Sequence, residues 1–124
     1  MHIDSSFMPL APGKVLVNAE YIDAERLPPI LKSWDILIAP TPDPVAGIMG
    51  KISMCSPWTS MNVLMLDEKR VIVDWSQVSL IRSLKAWGFE PLAIPFCSYG
   101  PFGGSFHCAT LDVRRRGVLQ CYFF

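Results

Sequence analysis

The chain has 124 residues, and its eleven basic and eleven acidic side chains cancel to a formal net charge of zero. A general binder of the nucleic-acid backbone needs a basic surface, so that class of partner is not expected. Hydrophobic residues make up 51% and charged residues 18%, which argues against disorder and for an apolar fold that needs a partner surface to cover part of it. No apolar run approaches the ~20 residues of a membrane-spanning helix. The first ten residues, MHIDSSFMPL, lack the basic start and long apolar stretch of a signal peptide. No membrane partner is therefore expected.

In chain order, His2-Ile3-Asp4 comes first. Read as an extended strand, it projects His2 and Asp4 to one face with Ile3 packed behind. Strands follow at Lys14–Asn18 and Asp35–Pro40, with a short helix between them that starts at Pro28-Pro29. A loop from Thr41 to about Ser60 is rich in Pro, Gly, Ser and Met, long enough to be functional or mobile. Strands at Asn62–Leu66 and Val71–Val73 flank an Asp67–Arg70 turn. Ser76 is placed to cap a helix over 78–87, whose apolar residues Val78, Leu80, Ile81, Leu84 and Trp87 recur at helical spacing, and Gly88 is placed to end it. A strand at Glu90–Pro95, a glycine-rich segment, a strand at Ser105–Val113 and a surface run Arg114-Arg115-Arg116 complete the chain.

This order contains a repeat. Lys14-Val15-Leu16-Val17-Asn18 resembles Arg70-Val71-Ile72-Val73-Asp74, and Leu31-Lys32-Ser33-Trp34 resembles Leu84-Lys85-Ala86-Trp87. Each unit reads strand, turn, strand, helix, strand. One such unit cannot bury both faces of its sheet, so units of this size stack or close into a ring. Unit one is expected at about 1–61 and unit two at about 62–124.

The chemistry-bearing residues are few. Side by side, His2 and Asp4 suit proton transfer next to a carboxylate that can hold a cation. Gly103-Gly104-Ser105-Phe106-His107-Cys108 offers a thiol after a flexible approach. In an extended segment His107 points away from Cys108, so a distant base such as His2 fits this thiol better. The four cysteines, at 55, 97, 108 and 121, form no CxxC pair and no metal-ligand spacing. Free thiols in a reducing, cytoplasmic compartment are the simplest reading, and Cys55, Cys97 and Cys121 are read as core or loop residues.

The segments Met1–Asp4, Ala11–Asn18, SMNVLMLDEKR (60–70) and the stretch from Gly103 to Gly117, with FHCATLDVRRRG at its heart, closely resemble the arginine amidinotransferases of the glycine amidinotransferase type. FMPLAPGKVLVN (7–18) looks most like the bacterial and cyanobacterial branch. The resemblance implies an α/β fold, a pentein-like five-bladed propeller of ββαβ units, of which 124 residues hold about two: the C-terminal portion of a single domain. It implies that Cys108 is the nucleophile, His2 the general acid/base, Asp4 a guanidinium-holding carboxylate and Ser56 a substrate-binding serine, with L-arginine and an amine acceptor as substrates. No metal and no organic cofactor is implied, and a homodimer is expected for the complete enzyme.

Three departures qualify it. The family's other catalytic carboxylate lies upstream of the His2-Ile3-Asp4 motif. Tyr21 stands where the glycine-using branch carries arginine, which makes glycine a doubtful acceptor. Cys55 stands where that branch has a second serine. Two other readings stay open: a catalytically incompetent fragment or subunit that needs the missing blades, and a guanidine hydrolase of the same fold.

Overall fold

The structure, a computed structural model, describes residues 2–45, 51–52, 55–117 and 121. Of the loop expected from Thr41 to about Ser60, residues 46–50 and 53–54 lie outside this set.

Strands β1 (Phe7–Ala11) and β2 (Lys14–Val17) form a hairpin that turns at Gly13, whose φ of +69° suits glycine. Strand β3 (Asp35–Ile38) then joins β2 in parallel. The second unit repeats this with β4 (Leu64–Met65), β5 (Arg70–Asp74), helix α1 (Val78–Ala86) and β6 (Glu90–Ile94). Both sheets are three-stranded, in the orders β1-β2-β3 and β4-β5-β6, antiparallel at the first pairing and parallel at the second.

The likeness extends to single hydrogen bonds. Asp35 N donates to Gly13 O, and Glu90 N to Lys69 O, each at 2.8 Å. Asn18 and Asp74, which end the two central strands, each accept the N–H two residues on, from Glu20 (2.8 Å) and Ser76 (2.9 Å). The valines of the two central strands are fully buried, and one core joins the units: Met8, Leu10 and Leu16 pack with Val71, Val73 and Leu84.

The helix expected over 78–87 is present, with Leu80 and Leu84 buried. Gly88 ends it at φ +92°, and Phe89 N closes the last turn on Leu84 O. Its expected cap is replaced. The Ser76 hydroxyl donates to Asp74, and the carboxylate of Asp43, from the loop after β3, takes both the Ser79 N–H (2.6 Å) and the Ser79 hydroxyl (2.9 Å). A full carboxylate satisfies first-turn donors better than a hydroxyl does. In the Asp67–Arg70 turn, Asp67 accepts the N–H groups of Arg70 and Lys69. Those bonds, followed by the Arg70 side chain, lower its carboxyl to about 2.

The short helix expected from Pro28-Pro29 is the 3-10 helix Pro29–Leu31, preceded by a second 3-10 helix, Ala24–Arg26, and two later expectations need correction. Pro29 holds Pro28 extended, and β3 begins at Asp35, so too few residues remain for more. Strand 62–66 shortens to Leu64–Met65, because Pro57–Met61 is a 3-10 helix that Asn62 ends. No strand forms over 105–113. Gly103 (φ +90°) and Gly104 (φ +98°) instead start a turn through residues 106–109.

The repeat also positions the candidate site residues. A 3-10 helix precedes the first strand of each unit, Ile3–Ser5 before β1 and Pro57–Met61 before β4, and the two pack against each other. The turn at 106–109 folds back onto this junction, where His107 N reaches Asn62 O at 3.3 Å.

Candidate active site

His2 is extended and exposed, but Ile3–Ser5 is a 3-10 helix, so the expected strand at this motif is wrong. The helix turns Asp4 inward, leaving it 9% exposed, and Ile3 outward at 75%. Ile3 therefore does not pack behind the pair. Even so, His2 and Asp4 meet Cys108. One ligand-capable atom from each, a ring nitrogen, a carboxylate oxygen and Sγ, lies within 4.8 Å of the others. This is the one such grouping among the described residues.

His107 corrects a second expectation. With residues 106–109 in a turn, His107 and Cys108 reach the same carboxylate: His107 Nδ1 lies 2.9 Å from Asp4 Oδ2, and Cys108 Sγ donates to that oxygen at 3.5 Å. Asp4 Oδ1 is buried without a hydrogen-bond partner. Burial pushes the Asp4 carboxyl up, but His107, the nearby Asn62 amide and Cys108 together carry it below its ordinary value. Burial, and then the charge and hydrogen bond of Asp4, push the Cys108 thiol above its ordinary value. Cys108 is thus a thiol held beside an anion, with one buried carboxylate oxygen left open.

Gly104 makes this approach possible. A Cβ there would lie 2.5 Å from Cys108 Cβ and 2.9 Å from its Sγ. Asn62, absent from the sequence-level site, holds the turn: its Oδ1 accepts Ser105 N and Cys108 N, both at 2.9 Å. A lone asparagine between the apolar Met61 and Val63 was the available signal, since a polar side chain in such a run must find partners.

Ser56 lies apart from that cluster in its bonding. It caps the helix Pro57–Met61, its hydroxyl accepting Trp58 N at 3.3 Å. It also lines a cavity of about 410 Å³ with Cys55, Asp43, Asp74, Gln77 and Gly104. Gly104 thus borders both the cavity and Cys108. Tyr21 is 53% exposed, and its neighbour Glu20 accepts Trp58 Nε1–H at 2.8 Å, which ties that segment to the Ser56 helix. Cys55 and Cys97 are half-buried, and Cys108 and Cys121 are exposed.

Fold and cluster together define an α/β protein built from two propeller-type units, with a cysteine, a carboxylate and two histidines gathered where the units meet. No family profile matches the chain. Its homologues, however, are amidinotransferases. It is 46% identical to the L-arginine:L-lysine amidinotransferase of Pseudomonas savastanoi pv. phaseolicola, over 98% of this chain and 33% of that protein. It is 39% identical to the inosamine-phosphate amidinotransferase 1 of Streptomyces glaucescens, over 99% and 35%. The solved structure of SxtG, an amidinotransferase from Microseira wollei in the saxitoxin biosynthetic pathway, is 58% identical and superposes with a TM-score of 0.90, over 99% of this chain and 34% of that one. A cyanobacterial arginine dihydrolase, ArgZ, shares the fold at 21% identity and a TM-score of 0.68, over 94% of this chain and 17% of that one. The chain spans about a third of the length of the curated relatives it matches. Among the described residues, no helix is long and apolar enough to cross a membrane.

Proposed function

We propose that the chain is the C-terminal portion of an amidinotransferase that moves the amidino group of L-arginine to an amine through a covalent amidino-cysteine. The observation that carries this is the meeting of His2, Asp4 and Cys108 within 4.8 Å, in a chain 46% identical to an L-arginine:L-lysine amidinotransferase. A guanidinium stays charged and offers only donors. The buried, unpartnered Asp4 Oδ1 suits it, and its charge offsets the anion that holds Cys108 protonated.

In this reading Cys108 gives its thiol proton to His2, and the thiolate attacks the guanidinium carbon. As the C–N bond to the ornithine nitrogen breaks, His2 delivers a proton to that nitrogen. The acceptor amine enters, loses a proton to His2, and attacks the amidino carbon. The C–S bond breaks and the thiolate returns. Every bond change is a proton transfer or a displacement at carbon, and none calls for a metal or cofactor.

Ser56, on the cavity wall, is read as a contact to the substrate's polar groups, and Tyr21 as a reason for glycine to be a poor acceptor. Residues 1–61 and 62–124 are read as two blades of one propeller domain. A cytoplasmic setting and a homodimeric complete enzyme belong to the same proposal.

The test is ornithine release from arginine with lysine, glycine or a simple amine as acceptor. The protein with its remaining blades should release ornithine, Cys108→Ser should not, and residues 1–124 alone should not. Release undiminished in Cys108→Ser would sink the covalent mechanism. Ammonia with citrulline in place of a transferred amidino group would turn the reading to hydrolysis.

A further inference from the structure

Asn62 is fully buried, at 0% exposure. Two backbone N–H groups, of Ser105 and Cys108, converge on its Oδ1 at 2.9 Å each. They settle which branch of the amide is oxygen, because an NH2 group there would face two donors. Nδ2 therefore occupies the other branch, where it is buried and without a partner. An amide donor left unpaired away from water is costly, and one that persists points to a partner that comes and goes.

Two acceptors lie near Nδ2, the Asp4 carboxylate and the Cys108 sulfur, and the amide favours the charged form of each. As a thiol, Cys108 spends its proton on Asp4 Oδ2. As a thiolate it has no proton to give and needs donors. The Asn62 amide lies beside Cys108, whose backbone N–H it accepts at 2.9 Å, and it favours the ionised thiol against the burial and the Asp4 charge that oppose it. The titratable groups facing Cys108 are His2 and Asp4 from the N-terminal segment and His107 from its own turn.

We infer that Asn62 is a further catalytic residue, whose Nδ2 is the donor held ready for the Cys108 thiolate while its Oδ1 clamps the turn that carries the sulfur. The inference rests on the reading of Cys108 as the nucleophile. When the S–H bond breaks, the electron pair stays on sulfur and the proton leaves to His2. The Nδ2–H, whose other near acceptor is the Asp4 carboxylate, then gains a second anionic acceptor in the reactive state. A donor that meets a second anion in that state alone favours it over the resting one.

The experiment follows alkylation of Cys108 by iodoacetamide against pH, read by peptide mass spectrometry in the native protein and in Asn62→Ala and Asn62→Ser. Both variants remove the amide NH2 without adding charge, and serine keeps a hydroxyl donor on a shorter side chain. The Cys108 midpoint should rise by about one pH unit, with labelling below the midpoint slowed about tenfold, while Cys55, Cys97 and Cys121 keep their profiles. A folded variant with a lower melting temperature but an unmoved midpoint would reduce Asn62 to a structural clamp and overturn the inference. If neither variant folds, the side-chain NH2 resonances of Asn62 in the native protein decide: they should titrate with Cys108 and stay flat in Cys108→Ser. Flat resonances in the native protein overturn the inference too. Ornithine release is scored separately. A shifted midpoint without any amidino transfer would sink the amidinotransferase reading and leave the role of Asn62 toward the thiolate standing.

Discussion

The two units share strand order, register and the residue that ends the central strand, yet they cross from the second strand to the third differently. The first uses two 3-10 helices of three residues each, and the second a nine-residue α-helix. The sheet therefore does not depend on the crossover. It depends on the valine-rich central strand, buried in both units, and on the side chain at its end that bonds the following turn. Where the units differ, the burden of packing differs. α1 brings Leu80 and Leu84 into the shared core, while the 3-10 helices between β2 and β3 bury no residue at all.

The largest effects expected are in that shared core. Leu16, in β2, and Leu84, in α1, are both at 0% exposure. Truncating either to alanine should cost ~2–5 kcal/mol by lost transfer and cavity formation. Because one cluster joins both units, each variant should lower a single unfolding transition, followed by circular dichroism in urea. Two separate transitions, with Leu16→Ala affecting one and Leu84→Ala the other, would break the picture of a joint core.

Two glycines with similar φ sharpen the comparison next. Gly88, at φ +92°, has nothing within 4 Å of an added Cβ, whereas Gly104, at φ +98°, would drive that carbon into Cys108. Gly88→Ala should cost about 1 kcal/mol, the strain of the left-handed region alone. Gly104→Ala carries the same strain plus a collision with Cys108, so it should also abolish any preference for labelling Cys108 over the other cysteines. If thermal melts and labelling respond alike to the two substitutions, the close approach at Gly104 is not what positions the sulfur.

A third effect is electrostatic and confined to the site. Burial first, then the Asp4 charge and hydrogen bond, raise the Cys108 thiol, so Asp4→Asn should lower its midpoint and speed labelling near neutral pH. The same carboxylate has the opposite linkage. Its own folded value lies below the ordinary one, so its contribution to stability is present above pH ~4 and is lost as pH falls through the folded value. In acid melts, Asp4→Asn should flatten the pH dependence in that window. A thiol midpoint that rises in Asp4→Asn would contradict the placement of the charge.

The repeat, the strand positions and α1 were legible in the sequence because each rests on periodicity that one segment carries by itself. The meeting of His2, Asp4 and Cys108 was anticipated from a family resemblance, and its local geometry was not. Reading His2-Ile3-Asp4 and Phe106-His107-Cys108 as extended assigned alternate faces, but both segments curl. Ile3–Ser5 closes a 3-10 turn, and the 106–109 turn depends on Asn62, more than forty residues away in sequence. No local pattern reports a hydrogen bond of that range, and so an extended reading puts His107 on the wrong side and starts a strand at Asn62.

The smallest effect expected lies at the charged register that both units carry. Lys14 stands opposite Asp35 across β2 and β3, as Arg70 stands opposite Glu90 across β5 and β6. Lys14 Nζ reaches Asp35 Oδ2 at 2.9 Å, with the aspartate side chain mostly in solvent. Such a pair is worth about 0–1 kcal/mol and is screened by salt. Lys14 has a second partner, however, since its ammonium lies 4.7 Å from the centre of the Trp87 ring at the end of α1. That contact crosses from one unit to the other, and exposed cation–π pairs contribute about 0.5–1 kcal/mol with less dependence on salt. Asp35→Asn should therefore cost less than Lys14→Gln, and the difference should persist at high ionic strength while the Asp35 effect fades. Paired urea titrations at low and high salt measure both quantities. Equal costs that vanish together in salt would leave Trp87 with no part in holding the units, and the joint core would then be their sole link at this edge.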